Sequence, residues 1–145
     1  MEKLARFNRY FASFTLGFAV LLTFINVVLR YFFQTSLSFS AELASYLFIA
    51  SAFFAASLGF KENLHISVDL ISKESILGKF ARIISFWVTL LFLLFIAFFG
   101  AEFVSLAYEI DEMSIDLNIS MWIIYLVIPL SFTLAVFWHI KSDVK

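Results

Sequence analysis

The chain has 145 residues, of which 63% are hydrophobic, 20% aromatic and only 14% charged. Soluble globular domains are about 45–50% apolar and about 25% charged, so this composition excludes a soluble domain and indicates an integral membrane protein. The chain has no cysteine, which excludes disulfides and thiolate chemistry; its net charge of −1 argues neither for nor against nucleic acid, which we do not expect as a partner.

Four uncharged runs predict transmembrane helices, because about 20 helical residues cross a hydrocarbon core of about 30 Å. The runs are Tyr10–Leu29, Leu43–Phe60, Ile83–Ala101 and Leu117–Trp138. Backbone groups in lipid must pair within their own segment, and the alternation of barrel strands is absent, so the fold class is all-α. We expect one membrane domain, 1–145, with spans at about 10–29, 41–60, 83–105 and 117–139. Pro129 should kink the fourth.

Two further segments have the pattern of helices that lie in the membrane surface. Near the N-terminus, Leu4, Phe7 and Phe11 share one helical face while basic residues occupy the others. Between the second and third spans, apolar residues recur on one face over about 66–80. We therefore expect an N-terminal surface helix and a short amphipathic interfacial helix.

Basic residues predict the orientation of the chain. Nine of the ten Lys and Arg residues precede the first span, lie between the second and third, or follow the fourth, and only Arg30 lies on the other side. Since cytoplasmic loops carry the excess of Lys and Arg, both termini are predicted to be cytoplasmic.

Polar residues at the opposite ends of the first two spans suggest structural roles. Asn26 is expected to make an interhelical hydrogen bond. Ser40 is a candidate N-cap for the second span, and Glu42 in its first turn complements the helix dipole. Arg30 closes the first span on the same side, so an Arg30–Glu42 ion pair is plausible.

The last loop is acidic. Its carboxylates are Glu109, Asp111, Glu112 and Asp116. The simpler interpretation is a solvated loop, and the alternative is a surface that meets a basic or neutral partner.

The sequence gives no support for a catalytic, cofactor or metal site. A membrane haem needs paired histidines inside the bundle, whereas His65 and His139 lie at the ends of spans. An autonomous transporter needs a polar site near the midplane, usually with broken helices and repeats. This chain lacks these features, which favours a subunit whose lateral faces serve a larger partner.

Three motifs resemble the small membrane subunit, DctQ type, of tripartite ATP-independent periplasmic (TRAP) transporters. The first span ends with Asn26 to Tyr31 (NVVLRY), the second opens with Phe39 to Phe48 (FSAELASYLF), and the second exits through Lys61 to Asp69 (KENLHISVD). They resemble the family's N-x-x-x-R-Y/F, W-x-E-E-L-x-R-Y-L-F and K/R-x-x-x-H-I-x-V-D. Phe39, Ala41 and Ser45 depart from the second pattern.

The resemblance implies a division of labour in a bacterial inner membrane. A periplasmic binding protein captures an organic acid, and a large multispan subunit carries the substrate and sodium sites. The small subunit supports the large one, contacts membrane lipids and helps to dock the binding protein. Lys61, His65 and Asp69 would fix the exit of the second span, and Arg30 and Glu42 the opposite turn.

Two other functions stay open on sequence grounds. One is a four-helix redox or quinone membrane anchor, which a haem absorption band would reveal. The other is a self-sufficient small transporter, whose activity would need no partner.

Overall fold

The computed structural model describes residues 2–61 and 76–143. They form five helices, α1 (Glu2–Phe32), α2 (Ser38–Lys61), α3 (Ile76–Glu109), α4 (Met121–Tyr125) and α5 (Val127–Asp143). Four segments of this part of the chain are long and apolar enough to cross a membrane: Glu2–Phe32, Ser38–Lys61, Phe80–Glu109 and Met121–Lys141. This confirms the predicted all-α class with four candidate spans.

The long helices pack as a row in the order α1, α2, α5, α3. The short α4 packs on α3 and on α5. Because α1 packs mainly on α2, and α3 on α5 and α4, α1 and α3 form the two edges of the row. Each edge helix exposes many large apolar side chains, which is the expected surface for a protein solvated by lipid or by a membrane partner.

α1 corrects the expectation of a separate N-terminal surface helix. It runs unbroken for 31 residues, about 46 Å at 1.5 Å per residue. Its buried face is formed mostly by small or polar residues that pack on α2, and Leu4 and Phe7 of the expected apolar face are exposed. Packing on α2 therefore continues the helix to Glu2.

Hydrogen bonds between helices join α1 to α2 at two levels. Asn8 Nδ2 donates to Ser57 Oγ at 2.7 Å, and Ser51 Oγ donates to the carbonyl oxygen of Ala12 at 2.9 Å. Asn8 and Ser57 are almost fully buried. Small side chains between these levels permit the close approach, as is usual where membrane helices pack.

The last span is divided at Leu126, between α4 and α5, just before Pro129. Leu126 keeps helical backbone angles, with φ −55° and ψ −25°, so the expected kink stays a prediction. Proline has no N–H to donate to the carbonyl four residues earlier, that of Tyr125, and its ring clashes with that carbonyl. The interruption is followed by close packing on α3, where a Cβ added to Gly100 would lie 3.1 Å from Ile128 Cγ2 and 3.5 Å from Pro129 Cδ.

The interfacial helix expected at about 66–80 lies mostly outside the described residues. Its last five positions, 76–80, are the first turn of α3. The orientation of the termini and the single-domain assignment stay predictions.

Candidate functional site: a carboxylate that holds the α3–α4 connection

The two ends of the helix row differ in their chemistry. We call the end with the α1–α2 connection (33–37) and the α3–α4 connection (110–120) the loop end. The opposite end, where α1 begins and α2 finishes, is called the Lys61 end. Most of the residues singled out in the sequence lie at one of these two ends.

Glu42, near the start of α2, accepts four hydrogen bonds at the loop end. Its Oε1 accepts from the Tyr46 hydroxyl at 2.5 Å and from the N–H of Ile115 at 3.2 Å. Its Oε2 accepts from the N–H groups of Asp116 at 2.8 Å and Leu117 at 3.1 Å. One carboxylate thereby engages three consecutive backbone amides of the α3–α4 connection.

The helix places these groups by its regular spacing. Tyr46 follows Glu42 by four residues and so lies on the same face of α2. Successive backbone N–H groups that point the same way form a concavity that binds anions, and hydrogen bonds to an ionised acceptor are stronger than neutral ones. The Tyr46 hydroxyl also lies 3.3 Å from Met121 Sδ at the start of α4. Glu42 and Tyr46 therefore join α2 to the segment between α3 and α5.

The α3–α4 connection is also closed on itself. The N–H of Ser114 donates to the carbonyl of Ile119 at 2.9 Å, and the Ser114 hydroxyl accepts from the Ile119 N–H at 3.3 Å. Met113 and Ser120 form an isolated antiparallel bridge. Asn118 has a φ of 52°, a left-handed conformation that asparagine tolerates better than most residues. These bonds leave Ile115 directed away from the protein, with 91% of its surface exposed.

Asn26 has a comparable role in the α1–α2 connection. Its Oδ1 accepts the N–H of Leu37 at 2.9 Å, so its partner is the loop backbone directly before α2. The carbonyl of Leu37 in turn accepts the Ser40 hydroxyl at 2.7 Å. A side chain of α1 thus fixes the entry to α2.

Four sequence-based expectations for this end are wrong. Asn26 makes its hydrogen bond to the loop backbone and not to another helix, and Glu42 lies beyond the first turn of α2. No ion pair joins Arg30 and Glu42, since both carboxylate oxygens are taken by Tyr46 and the loop amides. Ser40 is not an N-cap, because α2 begins at Ser38 and the Ser40 hydroxyl donates backwards to Leu37. Arg30 instead lies in the last turn of α1, where a cation complements the helix dipole.

The four acidic loop residues have different environments. Glu109, Asp111 and Asp116 are exposed. Glu112 is half-buried, and its Oε1 accepts the Tyr125 hydroxyl at 3.3 Å. Three carboxylates are therefore available on the surface of the loop end, and the fourth contacts α4.

At the Lys61 end, Lys61 Nζ lies 5.4 Å from the centroid of the Trp138 ring. Trp138 is 3% exposed and belongs to a cluster with Ala5 and Leu58. His65 and Asp69, which were grouped with Lys61 in the sequence, lie outside the described residues.

Several residues of these contacts were not identified from the sequence. Helical spacing from Glu42 could have found Tyr46, but nothing in the sequence relates Tyr125 to Glu112. His139 stacks on Phe86 with ring centroids 4.8 Å apart, and its Nε2 lies 3.3 Å from the Phe86 carbonyl oxygen. That ring is engaged in the contact between α3 and α5.

The site holds backbone in place. Within 2–61 and 76–143, no three His, Cys, Asp or Glu side chains lie close enough to hold a metal ion. The carboxylate of Glu42 is already engaged by four donors.

Comparison with known proteins gave a family match over most of the chain. The family model described as "Tripartite ATP-independent periplasmic transporters, DctQ component" matches residues 19–144. Neither the curated proteins nor the solved structures gave a significant match. The matched region includes Asn26, Glu42 and the whole α3–α4 connection, and it covers most of the chain. The chain therefore belongs to the DctQ family, the small membrane component of TRAP transporters, which is a family of transporter components and not of enzymes.

Proposed function

We propose that this chain is the small permease subunit of a sodium-coupled secondary importer for an organic acid delivered by a periplasmic binding protein. It lies in a bacterial inner membrane, supports the large transport subunit, and forms part of the surface on which the binding protein docks. Membership of the DctQ family supports the tripartite assembly.

The orientation follows from the charge distribution. Nine of ten basic residues belong to the termini and the central loop, which by the positive-inside rule are cytoplasmic. The loop end then faces the periplasm. Impermeant labelling of single cysteines in place of Lys3 and Ile115 checks this, since only the second should react in intact cells.

The edges of the helix row supply surfaces for the large subunit. α3 exposes side chains such as Trp87, Phe95 and Phe98, and α1 exposes Phe14 and Phe18. Co-purification of a large multispan subunit in detergent tests the assembly. Transport by the chain alone, in vesicles without a partner, would contradict the proposal.

The fixed α3–α4 connection carries the proposed docking role. Three consecutive amides bound to Glu42 hold this loop in one shape outside the apolar spans. A preorganised loop loses less conformational entropy on binding than a free one. The exposed carboxylates would attract a basic or neutral face of the binding protein and so raise the rate of encounter.

Charge reversal tests this role. We expect Asp111→Lys with Asp116→Lys to reduce binding-protein-dependent uptake by about tenfold or more at low salt, with a smaller effect at high salt because screening weakens exposed charges. The measurement is initial uptake by the reconstituted transporter against binding-protein concentration. The loss should appear in the concentration needed for half-maximal uptake.

Glu2→Lys is the control, since it reverses one exposed carboxylate at the opposite end and so makes half the change of charge of the double variant. Equal uptake in the double variant and the wild type, with equal amounts of assembled complex, would show that the acidic loop is a solvated loop without a role in docking. A loss of co-purified large subunit would assign it to assembly instead.

A further inference from the structure

The Lys61 end contains a cavity that none of the roles above uses. It has a volume of about 200 Å³ and is lined by Glu2, Ala5, Arg6, Arg9 and Lys61. α1 and α2 are joined by a short connection and pack on each other, so the start of α1 and the end of α2 meet here. The cavity thus lies between two helices that both cross the membrane.

Its described lining is positive. Three cationic side chains face one carboxylate, that of Glu2. The first turn of α1 adds free backbone N–H groups and the positive end of the helix dipole. No described carboxylate forms a salt bridge with Arg6 or Lys61, whose ammonium group also contacts the Trp138 ring. This chemistry fits a phosphate-bearing anion.

The depth of the cavity indicates the source of that anion. Arg9 directly precedes the uncharged run Tyr10–Leu29, and Lys61 directly follows the run Leu43–Phe60. Both cations therefore lie where the hydrocarbon core ends and the lipid headgroups begin. Lys and Arg at this level extend readily to lipid phosphates.

An apolar stripe continues from the cavity along α1. The positions that follow Arg9 at helical spacing begin with the exposed Ser13 and are then exposed and apolar: Leu16 at 45%, Val20 at 53%, Phe24 at 64% and Val27 at 46%. Residues at these intervals share one helical face. Beside them, a Cβ added to Gly17 would meet nothing within 4 Å. The stripe gives an acyl chain a surface that begins about two helical turns beyond Arg9.

We propose that this cavity binds the phosphate of an anionic phospholipid, with an acyl chain lying along the α1 stripe. Arg6, Arg9 and Lys61 bind the headgroup, and Leu16, Val20 and Phe24 contact the chain. The lipid holds the start of α1 against the end of α2. This inference is independent of the proposed transport function, because it needs only the membrane location and the cavity.

Native mass spectrometry of the chain in detergent tests the proposed lipid site, with phosphatidylglycerol and phosphatidylcholine as probes. We expect phosphatidylglycerol to bind at least tenfold more tightly. Arg6→Gln with Lys61→Gln should weaken its binding about 25-fold, since each basic residue near an anionic surface contributes about fivefold. Binding of phosphatidylcholine should change little.

Lys3→Gln with Arg82→Gln is the control, because it removes two cations that do not line the cavity. An equal loss of phosphatidylglycerol affinity in this control would show that diffuse charge attraction, and not a specific site, binds the lipid. Competition by inorganic phosphate or by the chain-free headgroup, at the concentrations at which the lipid binds, would assign the cavity to a free phosphate. Unchanged affinity in the Arg6/Lys61 variant, or no preference over phosphatidylcholine, would overturn the proposal.

Discussion

A carboxylate near the start of a helix ordinarily faces water and the free N–H groups of its own helix. Glu42 directs both oxygens elsewhere, to three amides more than 70 residues away in the sequence. The sequence identified the residue and its position near the start of a span. The sequence could not identify the partners of Glu42, because every residue except proline has a backbone N–H. The contact also depends on the packing of helices that are distant in sequence.

Hydrogen exchange measures this contact residue by residue. We expect Glu42→Ala to speed the exchange of the Ile115, Asp116 and Leu117 amides, because their acceptor is removed. Glu42→Gln should give intermediate protection, since its one carbonyl oxygen replaces two charged acceptors. Exchange at Ser114 should change less, because its N–H donates to Ile119.

Glu109→Ala is the control for that experiment, as it removes an exposed carboxylate from the same end. Protection of residues 115–117 that is the same in Glu42→Ala and in the wild type would show that the carboxylate does not hold the loop in the membrane.

At the scale of helices, uncharged runs predicted the spans well because charge is excluded from lipid. The sequence pattern failed for the start of α1, where an apolar face flanked by Arg6 and Arg9 predicted a separate surface helix. The decisive interaction is burial of Ala5 and Asn8 against α2 and α5. Such packing depends on neighbours that are distant in sequence, so hydropathy alone could not reveal it.

Gly100 is predicted to control the distance between α3 and α5. A Cβ there would lie 3.1 Å from Ile128 Cγ2, which is tight. We therefore expect Gly100→Ala to change stability little, as the Ile128 side chain shifts. Gly100→Leu should destabilise by about 1–3 kcal/mol, the usual cost of overpacking. Thermal unfolding in detergent measures the difference.

Gly17→Leu is the matched control, because the space beside Gly17 is open. Equal loss of stability in both leucine variants would mean that helix propensity or insertion, and not contact with α5, determines the result.

At the scale of the molecule, the described helices form an open row in which α1 and α3 occupy the edges. Counting four spans does not distinguish this row from a closed bundle, since both bury small residues on helical stripes. The family resemblance covered both motifs at the loop end, and the family model now includes them. The order of the helices in space was not predictable from either source.

Cysteine cross-linking tests the open row, helped by the absence of native cysteine. Ala12→Cys with Ser51→Cys should cross-link, because Ser51 Oγ lies 2.9 Å from the Ala12 carbonyl oxygen. Phe53→Cys with Phe132→Cys should do so as well, since these rings have centroids 5.9 Å apart. Pairs of positions on α1 and α3, such as Val20 with Phe95, should not.

Cross-linking is measured by mobility on denaturing gels at low protein concentration, so that links between molecules are avoided. Efficient α1–α3 links within one molecule would indicate a closed bundle and would remove one of the two edges proposed for the large subunit.

The hydrogen bonds between Glu42 and residues 115–117 also determine how force is transmitted through the protein. The loop is attached covalently to α3 and α4, and through Glu42 it is attached to α2 as well. Asn26 extends this mechanical linkage to α1 through Leu37. A load applied at Ile115 is therefore carried not only by α3 and α4 but also by α2, and through the α1–α2 connection by α1.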